Sequence, residues 1–264
     1  MTTKFLKILL LLSFNLLFIG AKAQYVTIPD PNFVNWLNAH GFSGCMSANQ
    51  LDTTCTTVLN TGYVDCNNSN ISDLTGISYF DNLTTFFCGS NQLISLPVLP
   101  ATLTTLLCYD NQISSLTLPP ALVTLGIKFN DLSALPALPS TLKVLECDYN
   151  SLSILPTLPP SLRFITCSNN GLDSLPVLPD SLSSLDCSYN DLLDLPALPI
   201  AMTNLDCEAN ILATLPALPA TLLSLKCGYN NITSLPSLPP VLISLSCENN
   251  QISVMPAFTD SIRK

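Results

Sequence analysis

The sequence predicts a horseshoe-shaped solenoid with a parallel β-sheet on its concave face, an extended, polyproline-II convex face and a short N-terminal capping helix. Three observations predict this fold. A motif of Leu, Cys, Asn and Pro recurs about every 20 residues from residue 83 onward. One Leu and the Cys of each motif are two residues apart, as on the inner side of a strand. Most of the 21 prolines lie between these segments, where they exclude regular helix.

The composition excludes several classes of protein. Only 10% of the 264 residues are charged, against about 25% in an ordinary domain. The net charge of -9 leaves no basic patch for nucleic acid. His40 is the only histidine, and no nucleophile–base pair, phosphate loop or paired-carboxylate motif lies outside the repeats. The sequence therefore predicts a protein that is not an enzyme and that holds no cofactor or metal.

Residues 1–23 have the features of a secretory signal peptide. Lys4 and Lys7 precede an apolar run from Ile8 to Ile19, and the small residues of Ala21–Ala23 form a cleavage site. The alternative is a membrane anchor, but the run is too short to span a bilayer. No later apolar run is long enough to form a transmembrane segment. We expect a secreted, extracellular or cell-surface bacterial protein that begins at Gln24 and is monomeric.

Residues 24–62 are predicted to form an N-terminal cap, because the end of a solenoid must be covered. Asp30 followed by a proline predicts the start of a helix over about residues 31–39. His40 is expected to lie in solvent or to cap the end of this helix. Cys45 and Cys55 lie outside the repeated Cys position, and in an exported protein we expect them to form a disulfide.

Residues 63–82 form an irregular first repeat. Cys66, Ile71 and Leu74 match the Cys and Leu positions, whereas Ser69 stands in the Asn position. The return segment lacks the usual prolines, and a helical turn is expected there.

Residues 83–264 read as nine repeats, eight of 20 residues and one of 19, plus the start of a tenth. Their consensus, LxxLxCxxNxLxxLPxLPxx, is a leucine-rich repeat. The Asn is expected to bond backbone groups of the turn and of the next coil, which would otherwise be buried without partners. This Asn ladder comprises Asn91, Asn111, Asn130, Asn150, Asn170, Asn190, Asn210, Asn230 and Asn250. Ile262 would begin another strand, so the sequence ends in mid-repeat, as a fragment or as a natural edge.

Nine cysteines occupy one slot of the motif, and Ile127 fills it in the remaining repeat. Since Ile substitutes for Cys there, we expect buried free thiols that serve as small apolar groups. No His or second Cys in each coil completes a tetrahedral metal site.

The LPxLPxxL return segment resembles the short bacterial class of leucine-rich repeats found in secreted effectors, some of which carry a separate ubiquitin-ligase domain. The chain has no room for that domain, so the ligase activity is not implied. The first repeat resembles those of internalin-like proteins. Cys in the strand followed by Tyr-Asn is similar to secreted surface repeats that use the type IX export route.

The outward strand positions vary, as binding positions should, and they predict an acidic stripe beside a row of tyrosines. The candidate ligand-binding residues are Glu146, Asp148, Tyr149, Asp186, Tyr189, Asp206, Glu208 and Tyr229. They predict a concave face for a protein, peptide or glycan ligand, because Tyr is favoured in interfaces. We expect a non-catalytic binding or adhesion module. The alternatives are a solvated acidic surface, a passive spacer of a longer surface protein, or an effector-like repeat domain of a longer enzyme whose catalytic domain is absent.

Overall fold

The computed structural model describes residues 24–257. The expected signal peptide, residues 1–23, and the expected start of a tenth repeat at Ile262 lie outside the described residues. The chain forms a small N-terminal cap followed by a solenoid of parallel strands.

Helix α1, Pro31–Ala39, opens the cap. Asp30 caps it, because its Oδ1 accepts the backbone N–H groups of Asn32 and Phe33 at 2.7 and 3.1 Å. Phe33 and Leu37 are completely buried. The expected capping helix is confirmed. After α1 the chain turns through Gly41, whose φ of 92° favours glycine.

A three-stranded antiparallel sheet and a short helix complete the cap. Strands β1 (Tyr25–Thr27) and β2 (Met46–Ser47) pair with the two edges of β3 (Gln50–Asp52). Helix α2, Thr56–Asn60, follows. A disulfide joins Cys45 to Cys55, with 5.6 Å between their Cα atoms.

The solenoid is built on one ten-stranded parallel sheet, in which each strand pairs with the strand of the next coil along the chain, from the first strand at one edge to the last at the other. The strands are β4 (Tyr63–Asp65), β5 (Thr85–Phe87), β6 (Thr105–Leu107), β7 (Thr124–Gly126), β8 (Val144–Glu146), β9 (Phe164–Thr166), β10 (Ser184–Asp186), β11 (Asn204–Asp206), β12 (Ser224–Lys226) and β13 (Ser244–Ser246). The predicted leucine-rich-repeat solenoid is confirmed.

The register keeps equivalent residues side by side across the sheet. Leu145 of β8, for example, pairs with Ile165 of β9, and both side chains are fully buried. Cys147, two residues after Leu145, points to the same interior and is also fully buried. The core therefore runs as a continuous column between the concave sheet and the return segments.

The return segments are not helical. From residue 83 to residue 257 the chain contains no helix, because Pro removes backbone donors and fixes φ at one to three places in the return segment of each repeat. The irregular first repeat differs, since a 3₁₀ turn spans Ile77–Tyr79, where helical structure was expected.

One carboxylate joins the cap to the first repeat. Asp30 Oδ2 accepts the Ser72 N–H at 2.6 Å and the Ser72 hydroxyl at 2.7 Å. Asp30 is only 4% exposed, so these bonds complete its hydrogen bonding inside the protein.

Candidate functional site

The alternation of side chains along each strand determines which of them face outward from the concave sheet. Because side chains alternate along a strand, the residues on either side of each buried Leu point away from the core. The residue that directly precedes each Cys position forms what we call the middle column. From the first full repeat onward it reads Phe87, Leu107, Gly126, Glu146, Thr166, Asp186, Asp206, Lys226 and Ser246. Its chemistry changes from apolar to charged along the solenoid.

The N-terminal half of the concave face is apolar and aromatic. Phe87 meets Tyr63 edge-to-face, with 5.5 Å between ring centroids. The ring of Tyr109 lies over Gly89, where a Cβ atom would approach it to 2.7 Å. A side chain at residue 89 would therefore force this ring to shift. The candidate residues predicted from the sequence did not include any in this half, although Phe87 and Tyr109 directly precede and follow the Cys position of their repeats and so could have been chosen.

Carboxylates gather on the C-terminal half. Asp186 and Asp206 are neighbours in the register of β10 and β11. Burial raises the pKa of Asp186, and the charge of Asp206 raises it further despite hydrogen bonds from Ser188. Asp206 also binds Lys226, with 2.9 Å between Oδ2 and Nζ. The structure thus brings the carboxylates of Asp186, Asp206 and Glu208 close enough to affect one another.

Asp148 is buried, contrary to the expectation that it would face outward and be open to a ligand. It is 5% exposed, and its carboxylate contacts Lys128 Nζ at 3.1 Å. The Ser168 N–H and hydroxyl donate to its Oδ1 at 2.9 and 3.0 Å, and Thr166 donates to its Oδ2. Because these groups already satisfy the carboxylate, Asp148 fixes the neighbouring coils instead of offering a free acid. Glu146 lies on the edge of this network, 3.6 Å from Lys128 Nζ.

The residue before each Asn of the ladder adopts the left-handed conformation, and we call this series the turn column. Four of its members are aromatic, which is unfavourable because bulky residues avoid positive φ. They are Phe129, Tyr149, Tyr189 and Tyr229, with φ between 53° and 55° and side chains 47–55% exposed.

The rings of Phe129 and Tyr149 stack with 4.3 Å between centroids. The sequence predicted that the tyrosines would be exposed, but it did not predict that their backbone would have positive φ. The Asn found in the same position at residues 68, 169 and 249 was the available signal, since Asn tolerates this conformation.

The Asn ladder lies behind the face and contacts backbone. Asn190, which is 7% exposed, donates from Nδ2 to the carbonyl oxygens of Cys167, Cys187 and Ser188 at 3.0–3.1 Å. The same pattern recurs at Asn91, Asn111, Asn130, Asn150, Asn170, Asn210, Asn230 and Asn250. These amides hold consecutive coils together.

The nine cysteines of the repeat position are free thiols. Burial raises the pKa of Cys66 to about 12 and that of Cys227 to about 12, so neither forms the thiolate near neutral pH. Cys147 donates to the Thr166 carbonyl of the next coil at 3.3 Å. Cys247, in the last described coil, is the only one of the nine that is partly exposed.

Comparison with solved structures gives the family. YopM, a leucine-rich effector protein from Yersinia pestis, is 30% identical over 77% of this chain and 76% of its own, with a TM-score of 0.53. The chain belongs to the leucine-rich-repeat proteins. No protein-family model matches it, and no curated protein matches it.

Two further solved structures are similar to this leucine-rich-repeat protein. YopM from Yersinia enterocolitica is 33% identical, with a TM-score of 0.49 over 70% of this chain, and the chain spans about half of its length. Toll, in the Drosophila Toll–Spatzle complex, shares the fold. It is 24% identical over 70% of this chain and 29% of its own, with a TM-score of 0.56.

Three further features of the leucine-rich-repeat protein bear on ligands and membranes: a cleft, the grouping of metal-binding side chains, and the length and hydropathy of its helices. A cleft of about 460 Å³ lies between the cap and the first strand, lined by Trp36, His40 and Tyr63. Across residues 24–257, no three His, Cys, Asp or Glu side chains gather as metal ligands. None of the helices in that range has the length and hydropathy needed to cross a bilayer.

Proposed function

We propose that this protein is a secreted or cell-surface binding module that recognises a protein or peptide with its concave face and performs no catalysis. The observation that carries the proposal is the change along the middle column, from Phe87 and Leu107 to Asp186 and Asp206, on strands that pair in the same register from coil to coil. A repeated scaffold that varies only in its outward residues presents a surface suited to one partner.

The three most exposed apolar residues of the return segments do not compete with this proposal. Val98, Val177 and Ile200 are 76–86% exposed in the return segments. They do not form a column, because Val98 and Val177 are four repeats apart and Ile200 occupies another position of the motif. Single exposed apolar residues are usual on soluble proteins. On the concave sheet, in contrast, the rings of Tyr63 and Phe87 are in contact with each other.

Location and partner class rest on two further observations. The signal-peptide pattern of residues 1–23 supports export, and the expected mature chain is a monomer that begins at Gln24. The Yersinia pestis relative is described as an effector protein. An effector-like role is therefore the second candidate. N-terminal sequencing of the protein recovered from an exporting bacterial host tests the leader, and an intact Met1 would contradict export.

Selection of a random peptide library displayed on phage against residues 24–264 tests the binding face. Selected peptides are then measured against two charge-reversed proteins. The first carries Asp186→Lys with Asp206→Lys on the concave face. The matched control carries Asp173→Lys with Asp194→Lys, two exposed acids outside the sheet. We expect only the first pair to abolish binding. Equal loss with both pairs would indicate a general charge effect, and loss with the control alone would contradict the proposal.

A further inference from the structure

Three consecutive members of the turn column form a gap between two aromatic side chains. Tyr189 and Tyr229 are 55% and 53% exposed, and Ala209 stands between them with only a methyl group. All three residues have φ of 53–54°, so their Cα–Cβ bonds leave parallel coils in the same direction. The result is an open slot with Ala209 as its floor.

The width of the slot follows from the strand spacing. Adjacent strands are about 4.8 Å apart, so the two tyrosines rise from backbones about 9–10 Å apart. Where aromatic residues occupy adjacent coils, as at Phe129 and Tyr149, the rings stack at 4.3 Å and leave no gap. A planar group in contact with a ring on each side needs about 7–8 Å. The slot therefore has room for one planar group.

The residue before Ala209 is an acid whose carboxylate is not held by a hydrogen bond or a salt bridge within residues 24–257. Glu208 directly precedes Ala209, and no hydrogen bond or ion pair engages its carboxylate among the described residues. Asp206, in contrast, already binds Lys226. Burial, Asp206 and Glu248 raise the pKa of Glu208, and the nearby Lys226 offsets only part of this rise, so a further cation placed beside the carboxylate would stabilise its charge.

The corresponding gap two coils earlier lacks these features. Asn169 stands between Tyr149 and Tyr189, and its amide bonds the Ser168 hydroxyl at 3.3 Å. The preceding outward residues there, Thr166 and Ser168, carry no charge. Of these two gaps between tyrosines, the one at Ala209 alone combines a small floor with a carboxylate that makes no hydrogen bond or salt bridge to any described residue.

We propose that this slot binds an arginine side chain of a peptide partner, sandwiched between Tyr189 and Tyr229 and paired with Glu208. The proposal rests on the proposed concave binding function and names the chemistry of its partner. A guanidinium is planar, stacks on aromatic rings and bonds a carboxylate through two N–H groups, whereas a lysine ammonium does only part of this.

The test uses residues 24–264 with a probe peptide of three Gly-Ser-Arg units and its Lys and citrulline counterparts. Citrulline keeps the planar shape without the charge. In protein with ¹³C-labelled tyrosine, the Arg peptide should shift the ring signals of Tyr189 and Tyr229, which Tyr→Phe variants identify. We expect weaker binding of the Lys peptide and none of the citrulline peptide. Equal binding of the Arg and citrulline peptides would overturn the proposal.

Two variants locate the binding within the slot. Ala209→Tyr fills the gap with a residue that the turn column accepts in neighbouring coils, and it should abolish the shifts. Asn68→Tyr makes the same kind of change at a distant, exposed position and should have no effect. Glu208→Gln should weaken binding by about tenfold or more, because a charge-assisted hydrogen bond is lost. Unchanged Arg-peptide binding in both Ala209→Tyr and Glu208→Gln would show that the slot is not the site.

The phage-selected peptides separate this inference from the proposed function. If they lose binding to the Asp186→Lys, Asp206→Lys protein but not to Ala209→Tyr or Glu208→Gln, the concave face is the binding face and the arginine slot is wrong. If neither set of changes affects them, the proposed function is wrong as well.

Discussion

The side-chain oxygen of Asn190 accepts a hydrogen bond at 3.0 Å from the backbone N–H of Leu172, one coil earlier. The amide of the same side chain donates to the Cys167 carbonyl of that coil at 3.0 Å. One side chain thus satisfies a donor and an acceptor of the preceding coil, both of which lie in a buried region.

Asn190→Ala should therefore lower the free energy of unfolding by about 1–3 kcal/mol, because it leaves buried backbone groups without partners. Chemical denaturation followed by circular dichroism measures the change. Asn204→Ala, at an exposed position of β11, is the control and should alter stability little. Equal effects of the two substitutions would contradict the role assigned to the ladder.

Tyr189→Asn should raise the free energy of unfolding by up to about 1 kcal/mol, because Asn adopts positive φ at lower cost than Tyr. The control is Tyr25→Asn, since Tyr25 is 47% exposed but lies in the extended strand β1. If the free energy of unfolding rises for Tyr189→Asn and not for Tyr25→Asn, the aromatic rings of the turn column are held at a cost in stability. Destabilisation by Tyr189→Asn would show that packing of the ring outweighs the backbone strain.

Asp30 gives the protein an acid-sensitive link between cap and solenoid. Burial raises the pKa of Asp30, but hydrogen bonds from Ser72, Phe33 and Asn32 outweigh it, and the net pKa is lowered from 3.8. The unfolded chain therefore binds this proton more readily, so the stabilisation is present above pH 3.8 and is lost as the pH falls through the lowered pKa.

Asp30→Asn should lower the free energy of unfolding at pH 7 by about 1–3 kcal/mol, because bonds to a charged acceptor are lost. The difference from the unsubstituted protein should shrink below pH 3.8. Urea titrations at pH 7 and pH 3 measure it. A difference that does not depend on pH would contradict the ionic character of this link.

The cysteine ladder should react unevenly with alkylating reagents. Burial raises the pKa of Cys167 well above its ordinary value, whereas Cys247 is more exposed. We expect native protein to be labelled first at Cys247, and all nine free thiols to be labelled only in denaturant. Peptide mass spectrometry measures both and should recover the Cys45–Cys55 crosslink. Crosslinks between Cys147 and Cys167 would contradict buried thiols.

Much of the fold could be predicted because each position of the motif has the same structural role in every repeat. Leu145 of β8 and Cys147, which directly follows that strand, are core residues, and their spacing alone identifies them. The capping helix could likewise be predicted, because the Asp30-Pro31 pair is a local signal.

Contacts between coils could not be predicted in the same way. Asp148 stands in an outward position, and its burial depends on the lengths and hydrogen-bonding groups of Lys128, Thr166 and Ser168 in the flanking coils. The bond from Ser72 to Asp30 connects segments whose proximity follows only from how the cap docks. The slot at Ala209 is also a property of three coils together, which no single repeat reveals.

Hydroxyl-radical footprinting of the protein with a phage-selected peptide tests the concave binding face most directly. Oxidation rates of individual side chains, measured by mass spectrometry, report which of them the peptide covers. We predict protection of Tyr189, Tyr229 and Phe87, with no change at Val177 and Ile200. Protection of Val177 and Ile200 together with unchanged oxidation of the concave residues would contradict the proposed binding face.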